Sequence, residues 1–314
     1  MRIVSFNAAG TEIVCALGLR ESLVGRSHEC DFPADIDQLP RLSSTNIDPT
    51  LSSAEIDLAV KALLAARRPL YRIDREALAS LSPDVVIAQS QCEVCAVTGS
   101  DVEHSLRELS LGAKVVVLNP VCLSDIWNDI RAVALACGVP ERGEVLIAEL
   151  ESRMRRVGDR VTASTARHRT IAIVEWIEPL MSAGNWMPEL VTLAGAEEVF
   201  GVAGRHSPYR EWGDLLTADP DIVVVSPCGF DLARAKQELP PFVEHPDFTR
   251  LRAAADGQVF VADGNSFFHR PGPRIAEAVE ILGEIVAPLS VAPLYEGRGW
   301  ERVCATTRGD RTGS

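Results

Sequence analysis

The stretch Leu81-Ser82-Pro83-Asp84-Val85-Val86-Ile87 is echoed by Ala218-Asp219-Pro220-Asp221-Ile222-Val223-Val224. In both, a proline halts a helical pattern. An aspartate then opens a short β-branched run that reads as a buried strand. Two further echoes fall in the same chain order. Thr11-Glu12-Ile13-Val14-Cys15-Ala16-Leu17-Gly18 resembles Pro188-Glu189-Leu190-Val191-Thr192-Leu193-Ala194-Gly195, and Val24-Gly25-Arg26-Ser27-His28 resembles Ala203-Gly204-Arg205-His206. Three matches in one order mark an internal repeat, so the chain is expected to build two similar lobes.

Outward from these pairs, β-branched runs alternate with helical patterns, the signature of βα units and parallel sheet. Residues 2–6, 84–88, 114–118, 170–176, 222–225 and 258–262 read as strands. Helices are expected near 11–19, 74–82, 101–111, 124–137, 188–194, 211–218 and 274–287. Pro140 can open one more helix at its first turn. Val145, Leu146, Leu150, Met154, Val157 and Val161 give that helix an apolar stripe. At ~20 residues it would span about 30 Å and could join two lobes as a rigid connector. The expected fold class is therefore α/β and bilobal, with mainly parallel sheets. Its parts are an N-terminal lobe 1–122, connecting helices 123–165, a C-terminal lobe 166–289 and a loose polar tail 290–314. In parallel sheets ligands sit beyond the carboxyl ends of the strands, which here would line a cleft between the lobes.

The 314 residues carry 31 basic and 44 acidic side chains, a net charge of −13. Such a balance excludes a general binder of nucleic acid or anionic membrane. No apolar run approaches the ~20 residues needed to cross a bilayer, so no membrane insertion is expected. Met1-Arg2 leads straight into the first strand, with no basic-then-apolar opening, and this points to the cytoplasm. No phosphate loop, dinucleotide fingerprint, His-Glu-x-x-His or Gly-x-Ser-x-Gly occurs, which leaves no positive case for an enzyme.

The sharpest local feature is Cys92-Glu93-Val94-Cys95, just after the strand at 84–88. A Cys-x-x-Cys serves metal or redox chemistry when suitably placed. Ser27-His28-Glu29-Cys30-Asp31 is a second turn dense in potential ligands. The repeat sets His206 against His28 and Cys228 against Cys92. Thiolates with imidazoles suit zinc or other borderline-to-soft metals, so His28, Cys30, Cys92 and Cys95 form a candidate metal set. Plainer readings stand beside these. His28 and Glu29 equally suit a loop cap, and Cys228 beside Pro227 suits a small buried residue.

At this point the chain resembles the helical-backbone class of ABC-transporter substrate-binding proteins, in particular its vitamin B12-binding branch. The resemblance covers roughly residues 2–287. It rests on Arg2-Ile3-Val4-Ser5 with Ala9-Gly10-Thr11-Glu12-Ile13, on Val24-Gly25 with Asp31-Phe32-Pro33, and on Leu81 to Ala88. In the second half, Met181-Ser182-Ala183-Gly184-Asn185 and Pro271-Gly272-Pro273-Arg274 are similar to its cleft and closing-helix motifs. The resemblance implies two lobes joined by a long helix, no catalysis, and a small-molecule ligand held between the lobes. In the B12-binding branch that ligand is cobalamin or a related corrinoid. It implies ligand contacts at the aromatics Phe32, Trp176 and the pair Phe267-Phe268 before Arg270. The chain departs from the family where an aromatic after the strand is replaced by Gln89-Ser90-Gln91-Cys92. Gln89, Cys92, His28 and Arg270 are added as contacts from their own place at the cleft, and His28 or a cysteine could touch cobalt. Aromatic area suits a flat, partly apolar macrocycle.

The same resemblance implies an ABC permease as partner, docked through two glutamates. Glu76 fits the first, but the second position is Gly213, flanked by Glu211 and Asp214, which speaks against such a partner. Two other functions remain open on the residues alone. One is a transition-metal or metal-chelate binder, whether of iron-siderophore or haem, using the Cys/His cluster with zinc as a candidate ion. The other is a thiol-dependent enzyme that processes a bound corrinoid through Cys92 or Cys95.

Overall fold

The computed structural model describes residues 1–90, 97–164, 168–287 and 292–303. The chain opens with β1 (Ile3–Ser5), fully buried, and α1 (Ala8–Ala16), whose N-cap Asn7 accepts the Gly10 N–H at 2.7 Å. Then come β2 (Leu23–Arg26), β3 (Ser43–Thr45), α2 (Ser53–Ala65), β4 (Tyr71–Ile73), α3 (Arg75–Leu81), β5 (Val85–Gln89), α4 (Gly99–Glu108) and β6 (Lys114–Leu118). Four of these strands form a parallel sheet in the order β2-β1-β5-β6. β3 and β4 pair antiparallel apart from it, with α2 as the excursion between them.

Two helices follow, α5 (Leu123–Ala136) and α6 (Pro140–Ser164). The second lobe contains β7 (Arg169–Trp176), β8 (Met181–Ser182), α7 (Met187–Leu193), β9 (Ala196–Glu198), α8 (Trp212–Ala218) and β10 (Ile222–Val225). It continues with α9 (Leu232–Gln237), α10 (Pro240–Val243), α11 (Arg252–Ala255), β11 (Val259–Ala262), α12 (Ile275–Val286) and β12 (Trp300–Arg302). Its sheet runs β12-β11-β10-β7-β8, with β9 also on β7. β7, β9, β10 and β11 are parallel, and β8 and β12 are antiparallel edges. The architecture is the expected one: two α/β lobes, mainly parallel, joined through a long helix.

That helix, α6, has 25 residues and spans about 37 Å at ~1.5 Å per residue. Ile147, Leu150, Met154, Val157 and Val161 are buried along it, while Val145 faces solvent. It packs against α5 and α12. The approach to α12 is close enough to require Gly283, where an added Cβ would overlap the Val157 side chain. One apolar cluster runs from β1 and α1 through α5 and α6 to β7 and α12. The lobes therefore share a core on their helix side. Each fully buried aliphatic side chain there contributes ~1.5–3 kcal/mol, so this side is held firmly.

The repeat is visible in the backbone. Ser82 ends α3 and Asp219 ends α8, both in the left-handed region at φ 42° and 38°. A proline follows each, then the strand β5 or β10. The segment expected as a loose tail departs from that reading. Tyr295 and Trp300 are buried, the Glu284 carboxylate accepts the Trp300 indole N–H at 2.8 Å, and β12 adds to the C-terminal sheet. Two aromatics in an otherwise polar stretch supply the area that brings it back.

Candidate functional site

The carboxyl ends of β1 and β5 in one lobe, and of β7, β10 and β11 in the other, lead to the residues through which the lobes meet. The first meeting lies at α1 and the turn before α12. Glu12, 3% exposed, accepts from Arg270 at 3.0 Å and from Arg274 at 2.6 and 3.0 Å. Arg270, 4% exposed, also pairs with Asp31, and Asn265 Nδ2 donates to Asp31 at 2.8 Å. Burial pushes the Asp31 carboxyl up, but the Arg270 guanidinium, Asn265 and Arg274 together hold it below the usual carboxylate range. Arg274 also lies between two aromatic rings, 4.2 Å from Phe32 and 5.5 Å from Phe267. Gly272 passes close over Ala9, where an added Cβ would make a tight 3.3 Å contact.

The second meeting is made by the turn entering α2. Its main chain receives Trp176 Nε1, which donates to the Ser53 carbonyl at 3.2 Å, and Arg234 Nη2, which donates to the Leu51 carbonyl at 2.5 Å. The Ser53 N–H in turn donates to the buried Glu238 carboxylate at 2.9 Å. An acid there also suits the positive end of the α2 dipole. Ile56 packs on a small apolar cluster of Phe230, Leu232, Ala235 and Trp176.

The expected contact residues are distributed unevenly around these meetings. Phe32 is 45% exposed, and Trp176 and Phe267 are half-buried. Phe268 is instead fully buried in the main core, whereas Phe267 packs on the edge of that core beside Tyr295. Gln89 is buried and accepts from Asn7 Nδ2 at 3.1 Å. Arg270 is occupied by carboxylates rather than left for a ligand. Glu76 is exposed in the first turn of α3.

Of the expected metal set, His28 and Cys30 lie among the described residues. Cys30 is buried and its thiol faces Thr11 Oγ1 at 3.0 Å and Ser27 Oγ at 3.3 Å, with burial holding it protonated. His28 Nδ1 lies 2.8 Å from Ser43 Oγ, and its ring packs on Tyr71 at 5.3 Å. Burial first, and Arg41 second, lower its pKa to about 4, so the imidazole is neutral at ordinary pH. Cys92 and Cys95 lie outside the described residues. Among the described residues, no three His, Cys, Asp or Glu side chains are grouped to hold a metal ion. His206 is exposed, its Nδ1 3.0 Å from the Ser207 carbonyl, and Cys228 is half-buried.

One cluster escaped the reading of the sequence. Ser207 Oγ donates to Glu175 at 2.6 Å, His269 Nδ1 lies 3.7 Å from the same carboxylate, and His269 Nε2 donates to the Ser226 carbonyl at 2.7 Å. Glu175 and Ser226 sit at the carboxyl ends of β7 and β10, and Ser207 and His269 reach them from the segments before α8 and α12. The signal was His269 itself, lodged between the singled-out Phe268 and Arg270.

Comparison with known proteins settles the class. The profile of the periplasmic binding protein family matches residues 3–265. The chain belongs to the periplasmic binding protein family. This is a family of substrate-binding transport proteins rather than enzymes. Its members bind small-molecule ligands and work with an ABC permease. The vitamin B12-binding protein of Photorhabdus laumondii is 20% identical over 283 residues, covering 90% of this chain and 86% of that one. An ABC transporter substrate-binding lipoprotein of Bacillus subtilis is 22% identical over 295 residues, covering 91% and 80%.

Among solved structures, a periplasmic heme-binding protein of Pseudomonas aeruginosa aligns with TM-score 0.68 and 22% identity, covering 93% of this chain and 94% of that one. The periplasmic vitamin B12-binding protein of Vibrio cholerae aligns with TM-score 0.64 and 20% identity, covering 91% and 96%. These likenesses show the fold. They also correct the expected cytoplasmic location, because the family is periplasmic and its matched relatives are named as periplasmic or lipoprotein binders. No helix among the described residues is long and apolar enough to cross a membrane.

Proposed function

We propose that this binding protein takes a corrinoid between its two lobes and delivers it without chemical change. The observation that carries the reading is the supply of aromatic faces by both lobes at their contacts: Phe32 from one, Trp176 and Phe267 from the other. Rings on both sides suit a wide, flat macrocycle, since they give contact area at low entropic cost. Relatives named vitamin B12-binding protein, aligned over nine-tenths of the chain, support the same ligand class.

His28 is the candidate contact to the metal of that macrocycle. In the neutral tautomer whose Nδ1–H donates to Ser43 Oγ, the lone pair is on Nε2, which lies 3.8 Å from the Glu29 carboxylate. Glu76, exposed on α3, is the candidate docking residue for a permease.

Haem is the second reading, favoured by the TM-score of 0.68 to the Pseudomonas heme-binding protein against 0.64 to the Vibrio B12-binding protein. Competition separates the two. The protein is saturated with hydroxocobalamin, and ferric haem is titrated in while both absorbance bands are followed. Retention of the corrin against an equimolar amount of haem is expected. Stoichiometric displacement by haem transfers the site to the second reading.

A further inference from the structure

The turn that enters α2 behaves as a separate element of the N-terminal lobe. α2 leaves the lobe between β3 and β4 and meets the other lobe mainly at its first turn, with Lys61 further along it 5.9 Å from the Tyr209 ring. Its hydrogen bonds there, among the described residues, use the main chain of Leu51 and Ser53, on three C-terminal-lobe side chains: Trp176, Arg234 and Glu238. Arg234 and Glu238 also pair with each other at 2.8 Å, so they form one two-pronged receptor for the turn.

This contact is imperfectly satisfied. Six buried side-chain polar atoms among the described residues lack a partner, and two of them, Ser53 Oγ and Arg234 Nε, lie at this one place. A buried polar atom without a partner favours any movement that lets water reach it. The other meeting of the lobes has the opposite character. Glu12 and Arg270 are both buried and mutually paired, beside the continuous core on the helix side. Separating them would strand two charges away from water.

We propose that the Leu51–Ser53 turn is a latch. It holds the lobes together by docking on Arg234, Glu238 and Trp176. It releases when the lobes part, while the Glu12–Arg270 contact stays closed and serves as the pivot. Trp176 Nε1 is shared between the Ser53 carbonyl at 3.2 Å and the Glu178 carbonyl of its own lobe at 3.0 Å, so release removes only the contact across the lobes and uncovers the ring. The latch follows from the contacts between the lobes and does not depend on which ligand the cleft takes.

The test is hydrogen exchange on the full, ligand-free chain. In the double variant Arg234→Gln/Glu238→Gln, the amides of residues 51–56 are expected to exchange at least tenfold faster, while those of β7 and β10 are unchanged. Acrylamide quenching should rise by an amount that disappears when Trp176→Phe is added. Trp176→Phe alone removes one prong and should speed the same amides by a smaller factor. Unchanged exchange at 51–56 in both backgrounds overturns the latch. Faster exchange spread evenly through the C-terminal lobe overturns it too, because that pattern is general loosening.

Discussion

Asp84 and Asp221 do the same work in the two lobes. Asp84 Oδ2 accepts the Arg2 N–H at 2.7 Å, and Asp221 Oδ2 accepts the Thr170 N–H at 2.9 Å. Each aspartate thus ties the start of one parallel strand, β5 or β10, to the start of its neighbour, β1 or β7. The two are matched in the repeat but not in burial: their side chains are 61% and 10% exposed. Asp221 also pairs with Arg252 and with Thr170 Oγ1. Asp221→Ala should therefore cost about 1–3 kcal/mol, the range for a part-buried charged acceptor, and Asp84→Ala under ~1 kcal/mol. Urea unfolding of both variants checks the ranking.

The pivot predicts a larger and non-additive loss. Arg270→Met leaves the Glu12 carboxylate buried with one cation fewer, a change expected to cost about 3–5 kcal/mol. Glu12→Gln together with Arg270→Met should cost less than the sum of the two single changes, because both remove the same Glu12–Arg270 pair, while Arg274 keeps only Asp31 at 4.0 Å. Asp31→Asn should cost ~1 kcal/mol or less, since the Asp31 side chain is 47% exposed. A double-mutant cycle by chemical denaturation reads all three.

Glu198 gives a pH dependence of definite sign. Burial raises its carboxyl to about 7, against the pull of the Gly201 and Phe200 N–H groups. Between the unfolded value near ~4.3 and about 7, the folded state holds a proton that the unfolded state has lost. Its contribution to stability therefore falls as pH rises through that window and is level above it. Asp129, raised by burial to about 7, adds in the same direction. Glu198→Gln keeps an acceptor for the two N–H groups and removes the ionisation. It should flatten this part of the stability-pH curve and be more stable than the parent at pH 8, by thermal unfolding across pH 5 to 8.

The repeat made the lobes legible because its signals are local: a proline, an aspartate and a β-branched run recur in both halves. The long helix was legible because its apolar stripe is sustained over six residues. The β3–β4 excursion was not, although Ser52 and Glu55 form a capping box at the start of α2. α2 docks by its end, so Leu58 stays 65% exposed and no clean apolar face marks the helix. Within the site, residue type alone could not tell Phe267 from Phe268, which differ only in how deeply the Gly264–Phe268 turn sets each ring against the core. It could not show that Arg270 is committed to Glu12 and Asp31, whose positions are 258 and 239 residues away in sequence. Cys30 stood out by its polar neighbours in sequence, but nothing there indicated that its buried thiol contacts Thr11 and Ser27.

The central claim is that one planar corrinoid sits between the lobes against aromatic rings from both. Its most direct test is an absorbance titration of the purified chain with hydroxocobalamin, run beside the Phe32→Ala/Trp176→Ala double variant. The account predicts a saturable shift of the corrin bands at one ligand per chain, with affinity at least tenfold weaker in the variant. No shift with folded parent protein, or equal affinity in parent and variant, would contradict it.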